Sequence, residues 1–202
     1  MFKDLLSHLK EMDLYDNTLI VLTSDHGESL MEREDMYYTH DPYLYNEVIH
    51  VPLMLKLPGE EKKYDLDEPV MLVDLLPTLL DFLGIKDSYG IESDGRVLDL
   101  SNPEGIHSFN RDIVSECFGW RKKRAVIKDG IKYIYDFQKN EHEVYSLADD
   151  STEKVDIKNN YMSVNIEQIM NSYNNDITGA VKEKAMDAEQ YERLKALGYI
   201  DQ

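Results

Sequence analysis

A carboxylate and an imidazole stand side by side where a short apolar run ends. Leu19-Ile20-Val21-Leu22 has the length and β-branched content of a fully buried strand, and Thr23-Ser24-Asp25-His26-Gly27 follows it directly. In open α/β sheets, ligands bind just beyond the carboxyl ends of the strands. Asp25 offers oxygen and His26 offers nitrogen to a divalent metal, although a complete coordination sphere needs more donors. The alternative is an Asp/His turn that caps the following segment, and spacing alone favours neither.

A second histidine, His40, follows after a loop rich in charged side chains. Residues 42–49 then fit a short helix, because Pro42 suits a first helical turn. Residues 51–57 predict a second buried strand, opened by a proline where a missing N–H is tolerated. With the strand at 18–22, the order of strand, charged loop, helix and strand predicts one βαβ-like unit.

The elements around this unit follow from the periodicity of apolar residues. Residues 2–14 and 69–83 each predict a one-sided helix, and Gly84 closes the second one. Residues 86–111 are rich in turn-forming residues and predict a long loop. We therefore expect a partial α/β domain over residues 1–111, with the Asp-His pair in it.

From residue 112 onward, short β-type runs alternate with turns. The runs are 113–118, 124–127, 132–137 and 143–147, with hairpin turns at Asp129-Gly130 and Lys139-Asn140. Residues 163–197 are compatible with a helix. We therefore expect an α+β subdomain over residues 112–202, with a small antiparallel sheet and a terminal helix.

The composition of the 202 residues limits the possible functions. A formal net charge of −18 disfavours a nucleic-acid partner, because the phosphate backbone would be repelled. No apolar run is long enough for a membrane span, and the first residues carry no secretory pattern. The single cysteine, Cys117, agrees with a reducing compartment, so the expected localisation is cytoplasmic or unknown. The basic cluster 121–124 is either a solvated loop between strands or a patch that attracts an anionic substrate.

Segments spread over nearly the whole chain match one protein family in the same order. They are residues 23–28, 44–59, 73–80, 94–96, 124–134, 143–147 and 193–200. Together they resemble the second half of a sulfatase, a sulfatase-like hydrolase of the alkaline phosphatase superfamily. The resemblance implies an α/β fold class: the C-terminal part of an alkaline-phosphatase-like α/β/α fold, then a small antiparallel-sheet subdomain and a C-terminal helix.

The resemblance also implies roles for three side chains. In this family a strand-end Asp followed by Asn or His binds the active-site cation, which carries over to Asp25 and His26 as metal ligands. A His or Lys upstream of the Leu-Tyr-x-Glu segment contacts the sulfate ester or its leaving oxygen, which implies a catalytic role for His40. Mainly oxygen ligation favours Ca²⁺ as the cofactor, and His26 moves the preference toward Mn²⁺ or Zn²⁺. The implied substrate is a sulfate-ester small molecule or glycan.

The family's nucleophile is a Cys or Ser in a Cys/Ser-x-Pro-x-Arg motif, and this sequence contains no such motif. Cys117 lacks the proline. Two hypotheses stay open: the C-terminal part of a sulfuric ester hydrolase, or an inactive fragment or interaction module that needs a complementing N-terminal chain. Relatives that hydrolyse phosphate esters or transfer phosphoethanolamine carry similar Asp-His-Gly-Glu motifs, so a phosphate ester is the alternative substrate. An exposed sheet edge also predicts a homo-oligomer.

Overall fold

Two compact units make up the chain, Met1–Ile166 and Glu167–Gln202. The computed structural model describes residues 2–33, 36, 38–66, 68–85, 93–102, 111–117 and 121–173. Within these residues the strands form two sheets, one of two strands and one of four. None of the described helices combines the length and the hydropathy that a membrane-spanning segment requires. The predicted domain boundary between residues 111 and 112 stays a prediction.

The helices and strands follow the predicted order along the chain. The helices are α1 (Phe2–Glu11), α2 (Asn46–Ile49), α3 (Leu75–Phe82) and α4 (Ile166–Ser172), with 3₁₀ turns at Leu72–Asp74 and Lys158–Tyr161. The strands are β1 (Ile20–Thr23), β2 (Leu53–Lys56), β3 (Ile113–Cys117), β4 (Lys123–Lys128), β5 (Ile131–Asp136) and β6 (Glu141–Ser146). The helix predicted from residue 42 begins only at Asn46. Of the helix predicted over 163–197, residues 174–197 lie outside the described part.

The two strands that flank the Asp-His turn pair in the opposite sense to the prediction. β1 and β2 are antiparallel, with Ile20 opposite Lys56 and Thr23 opposite Leu53, so the predicted βαβ-like unit is wrong. A short apolar run predicts a strand but carries no information on the direction of its partner. The prediction of full burial is also wrong, because Ile20, Val21 and Leu22 are only partly buried.

The predicted small antiparallel sheet is confirmed, with the strand order β3-β4-β5-β6. Asp129 and Gly130 connect β4 to β5 with φ angles of 51° and 77°. Two residues with positive φ form the turn type that matches the twist of a hairpin, which explains the Asp-Gly pair. Asn140 also has a positive φ, of 57°, at the predicted turn before β6.

Two residues of the basic cluster 121–124 belong to the sheet, so the alternative of a solvated loop does not hold for them, and the strand predicted from Arg124 begins one residue earlier. Lys123 and Arg124 begin β4, and their exposed fractions are 8% and 1%. Arg124 lies opposite Glu116 in the ladder, and its Nε donates to Glu116 Oε1 at 2.6 Å. Opposite charges on facing strands stabilise such a pair. The residue types indicated charge, but only the strand register shows the partner.

An apolar core joins the segment that carries α2 to the four-stranded sheet. Its buried members are Leu44, Ala125, Ile134 and Tyr145, with Tyr45, Ile49 and Cys117 packed against them. Leu44, Tyr45 and Ile49 of this segment therefore pack together with residues of the sheet. This contact holds α2 beside the turn that follows β1.

α3 is held by two buried polar side chains. Asp74 accepts hydrogen bonds from Met71 N at 2.9 Å and Arg96 N at 2.8 Å, and it pairs with the Arg111 guanidinium. Thr78 Oγ1 accepts from Leu98 N at 2.9 Å. The helix ends before Gly84, whose φ of 63° fits the predicted closing position.

Candidate metal centre

The turn that follows β1 lies directly against α2. Gly27 N donates to Val48 O at 2.7 Å, and a Cβ at Gly27 would lie 2.2 Å from Glu47 O. No side chain fits at that separation, so the position requires glycine. The close approach fixes the flanking residues, His26 and Glu28, beside the helix.

A short antiparallel bridge closes the loop between the two predicted histidines. Ser29 pairs with Thr39, and Ser29 N donates to Thr39 O at 3.0 Å. Glu28 and His40 flank this bridge on its open side. As a result, His40 Nδ1 lies 3.2 Å from Glu28 Oε2.

The imidazoles of His26 and His40 stack on each other. Their ring centroids are 4.0 Å apart and their planes differ by 24°. His26 Nδ1 lies 2.8 Å from Gly27 O. Because a carbonyl oxygen only accepts, Nδ1 carries the proton, and Nε2 of the neutral ring keeps its lone pair. Metal-binding histidines are oriented by such a hydrogen bond on the opposite nitrogen.

The Asp25 carboxylate lies beside the same imidazole and is 71% exposed. Its Oδ1 accepts from His26 N at 3.0 Å, and its Oδ2 lies 3.8 Å from His26 Nε2. The hydrogen bond from His26 N, followed by the electrostatic interaction with the His26 side chain, lowers the pKa of Asp25 below its ordinary value. The carboxylate is therefore ionised at neutral pH, as a metal ligand must be.

The structure brings the three predicted site residues, Asp25, His26 and His40, to one place and adds Glu28. One ligand atom from each of His26, Glu28 and His40 lies within 4.8 Å of the others. Their side chains are 41%, 40% and 47% exposed, so solvent ions reach them. Imidazole nitrogen and carboxylate oxygen together fit a divalent cation. Sequence reasoning missed Glu28 because only the bridge between Ser29 and Thr39 brings it to His40.

Arg33, at the far end of the same loop, ties it to the rest of the fold. Its Nε donates to Glu47 Oε1 at 2.5 Å, and its guanidinium lies 3.6 Å from the centroid of the Tyr45 ring. Nη1 donates to Glu153 O at 2.8 Å, and Nη2 donates to Thr152 O at 3.0 Å. The loop that carries His40 is thus held to the segment that follows β6.

Glu153 itself forms a buried ion pair with Lys132 of β5. Both side chains are 0% exposed, and Lys132 Nζ lies 2.5 Å from Glu153 Oε1. The other carboxylate oxygen accepts from Asn46 N, the first residue of α2, at 2.6 Å. Burial lowers the pKa of Lys132, while the carboxylate of Glu153 favours its charged form. This pair connects the four-stranded sheet to the helix that supports the Gly27 turn.

The remaining candidates of the sequence lie apart from this cluster. Cys117 Sγ, at the end of β3, donates to Asp41 Oδ1 at 2.6 Å. Cys117 therefore contacts the residue after His40 without entering the group of ligand atoms. His50 and His142 are not members of the cluster, and His107 lies outside the described residues.

Comparisons with known proteins find similarity to sulfatases. Residues 1–85 match the family described as Sulfatase. Arylsulfatase K from Mus musculus is 33% identical over 124 residues, which are 59% of this chain and 22% of that protein. A putative sulfatase from Bacteroides thetaiotaomicron is 24% identical and has a TM-score of 0.70, covering 85% of this chain and 39% of that one. A protein solved in complex with its substrate D-glucosamine-2-N,6-O-disulfate is 20% identical and has a TM-score of 0.63, covering 98% of this chain and 38% of that one.

The chain thus spans 22% of the mouse relative's length and 39% of the solved Bacteroides protein. The shared architecture confirms the predicted fold class, part of an alkaline-phosphatase-like fold. The matched residues 1–85 include Asp25, His26 and His40. Residues 1–85 are therefore similar to the Sulfatase family, and the described fold is similar to part of a solved sulfatase.

Proposed function

We propose that this chain supplies the metal-binding and ester-contacting part of a sulfuric ester hydrolase. The observation that carries the proposal is the stack of His26 on His40, at a centroid distance of 4.0 Å, with the Asp25 carboxylate beside it. Two segments that are separate in the sequence thereby present nitrogen and oxygen donors at one exposed position. The family match over residues 1–85 supports this assignment.

In the proposed site, Asp25 and His26 hold a divalent cation through a carboxylate oxygen and through Nε2. A bound cation of this kind polarises the oxygens of an ester. Oxygen ligands favour Ca²⁺, and the imidazole of His26 favours Mn²⁺ or Zn²⁺. The two residues are too few to complete the coordination of the ion, so further ligands come from outside these residues.

His40 has a separate role in the proposed site. Glu28 accepts a hydrogen bond from His40 Nδ1 across the 3.2 Å that separate them, which orients the ring. A protonated His40 then donates from Nε2 to an ester oxygen and stabilises the charge that develops on the leaving oxygen.

The proposed substrate is a sulfate ester of a small molecule or glycan. Supporting it are the family match and the structural relative that was solved with a disulfated glucosamine as its substrate. The chain spans 22% of mouse arylsulfatase K, which supports a site completed by groups from outside these 202 residues. The nucleophile belongs to those groups.

The test uses the full 202-residue chain with Ca²⁺ or Mn²⁺ and without either ion. We expect both ions to raise the thermal unfolding midpoint of the parent but not of Asp25→Ala. Asp65→Ala is the matched control, since Asp65 is an exposed carboxylate far along the chain that pairs only with Lys63 in the described ion pairs. An equal response of the parent and Asp25→Ala would contradict the metal site.

The same samples are then assayed on a chromogenic aryl sulfate and on the matching aryl phosphate. We expect no turnover by the chain alone, because the proposed nucleophile is supplied from outside it. Metal-dependent sulfate hydrolysis that is lost in Asp25→Ala would support the proposed hydrolase activity. It would contradict the proposal that the nucleophile comes from outside the chain. Hydrolysis that survives in Asp25→Ala would contradict the proposed site. Faster hydrolysis of the aryl phosphate than of the aryl sulfate would contradict the proposed substrate.

A further inference from the structure

Glu28 turns the two stacked histidines into a site with three donors. One ligand atom from each of His26, Glu28 and His40 lies within 4.8 Å of the others, and Asp25 is not a member of this group. Two imidazole nitrogens and one carboxylate oxygen are a donor set that zinc sites use, with an open position for water. Ca²⁺ prefers about six to eight oxygen ligands, which these residues do not supply.

The distance between Glu28 and His40 suits a tetrahedral ion. With Zn–N and Zn–O bonds of about 2.0–2.2 Å, neighbouring ligand atoms lie about 3.4 Å apart. Glu28 Oε2 and His40 Nδ1 are 3.2 Å apart, close to this separation, whereas the His26 ring, which stacks on His40, must rotate to direct its nitrogen at the same ion. His26 contributes Nε2, because its Nδ1 is engaged with Gly27 O at 2.8 Å.

The backbone around the group is held in place before any ion binds. The bridge between Ser29 and Thr39 fixes Glu28 against His40, and the hydrogen bond from Gly27 N to Val48 O fixes the segment of His26. The ligands are 40–47% exposed, and the net charge of −18 raises the local concentration of cations. Pre-organised, accessible ligands bind with a small ordering cost.

We propose that His26, Glu28 and His40 form a site for Zn²⁺ or a similar borderline cation, and that this ion takes the place of the proton between Glu28 and His40. Ligation through Nδ1 leaves the proton on Nε2 of His40, so the ring stays a neutral donor and is no longer an imidazolium. The inference rests on the proposed function only for the role of His40 at the ester. Binding of Zn²⁺ is therefore a second state of the same loop, in which the ion, and not Glu28 alone, orients His40.

The test is isothermal titration of the full chain with Zn²⁺ alone, supported by the visible absorption of Co²⁺ as a spectroscopic substitute. We expect Glu28→Gln and His40→Gln each to raise the Zn²⁺ dissociation constant at least about tenfold. Glutamine at position 28 still accepts a hydrogen bond from His40, so the loss reports ligation and not loop geometry. Far-UV circular dichroism confirms that each variant is folded, and Glu141→Gln is the matched control because Glu141 is a 71% exposed carboxylate away from the loop.

Two results would overturn the inference. One is a Glu28→Gln variant that binds Zn²⁺ as tightly as the parent. The other is a larger loss of Zn²⁺ affinity in Asp25→Asn than in Glu28→Gln, because the ion would then use the Asp25–His26 pair. Failure of the proposed function is seen in a separate measurement. In that case Ca²⁺ or Mn²⁺ raises the thermal unfolding midpoint of Asp25→Ala as much as that of the parent.

Discussion

Replacing Glu153 by alanine is expected to destabilise the fold more than any exposed charge substitution. Glu153 and Lys132 are both 0% exposed and 2.5 Å apart. Without the carboxylate, the Lys132 ammonium stays buried beside Asn46 Oδ1, to which it donates at 3.1 Å, and Asn46 N loses its acceptor. Two costs therefore combine: an uncompensated buried cation and an unsatisfied backbone donor.

The size of the effect follows from these distances. At 2.5 Å and an effective dielectric constant of about 20, the gross attraction is about 7 kcal/mol. Removing both charges from water offsets most of this attraction, but breaking such a pair on one side costs about 3–5 kcal/mol. Since small domains are stable by about 5–15 kcal/mol in total, Glu153→Ala removes a large part of the free energy of unfolding.

The assay is urea unfolding of the full chain, followed by far-UV circular dichroism. With a slope of about 2 kcal/mol/M, the midpoint of Glu153→Ala is expected to fall by about 2 M. The exposed Lys139–Glu141 pair, 4.0 Å apart, provides the control Glu141→Ala, whose midpoint is expected to stay unchanged. The double variant Lys132→Met/Glu153→Leu is expected to recover part of the loss, because it removes the buried cation but still leaves Asn46 N without its acceptor. Equal midpoints for Glu153→Ala and Glu141→Ala would refute the reasoning.

Three further substitutions test other contacts. Gly27→Ala places a Cβ 2.2 Å from Glu47 O, so we expect about 1–3 kcal/mol of destabilisation and weaker Zn²⁺ binding by titration; unchanged values would contradict the close approach. Asp74→Asn removes the buried charge that pairs with Arg111, and we expect the free energy of unfolding measured in urea to fall by about 3 kcal/mol. An unchanged free energy of unfolding would contradict this prediction. Asp150 has its pKa lowered from 3.8, first by the hydrogen bond from Val155 N. The ionised Asp150 carboxylate therefore contributes its full stabilisation above pH 3.8. This contribution is lost as the pH falls through the lower pKa that Asp150 has in the folded state. The midpoint difference between the parent and Asp150→Asn should shrink in the same range, and a constant difference would exclude Asp150 as its source.

The sequence predicted those parts of the fold that depend on local chemistry. Asp129 and Gly130 form a turn because both residues have positive φ angles, and such a turn has few permissible residues. The Asp25-His26 turn after an apolar run is likewise a local signal. The direction of β2 relative to β1 is not local, because the run of Leu53–Lys56 is compatible with either sense.

The charges inside the fold could not be predicted from residue types. Lys132 and Glu153 are residues that proteins usually expose, and only the register of β5 and the path after β6 bring them together. The contact of Glu28 with His40 could not be predicted for the same reason. Its charge is evident in the sequence, but its contact with His40 exists because Ser29 pairs with Thr39.

The candidate metal centre therefore depends on a part of the chain that contributes no ligand to it. Gly27 is fixed by Val48 of α2, and α2 begins at Asn46, whose N–H is held by Glu153. Arg33, in the loop that carries His40, donates to the carbonyl of the same Glu153. Both segments of the site thus meet at one buried residue after β6. Because buried groups with discrete partners do not shift continuously, this arrangement holds the separation of His26 and His40 constant, which is what binding of one small cation requires.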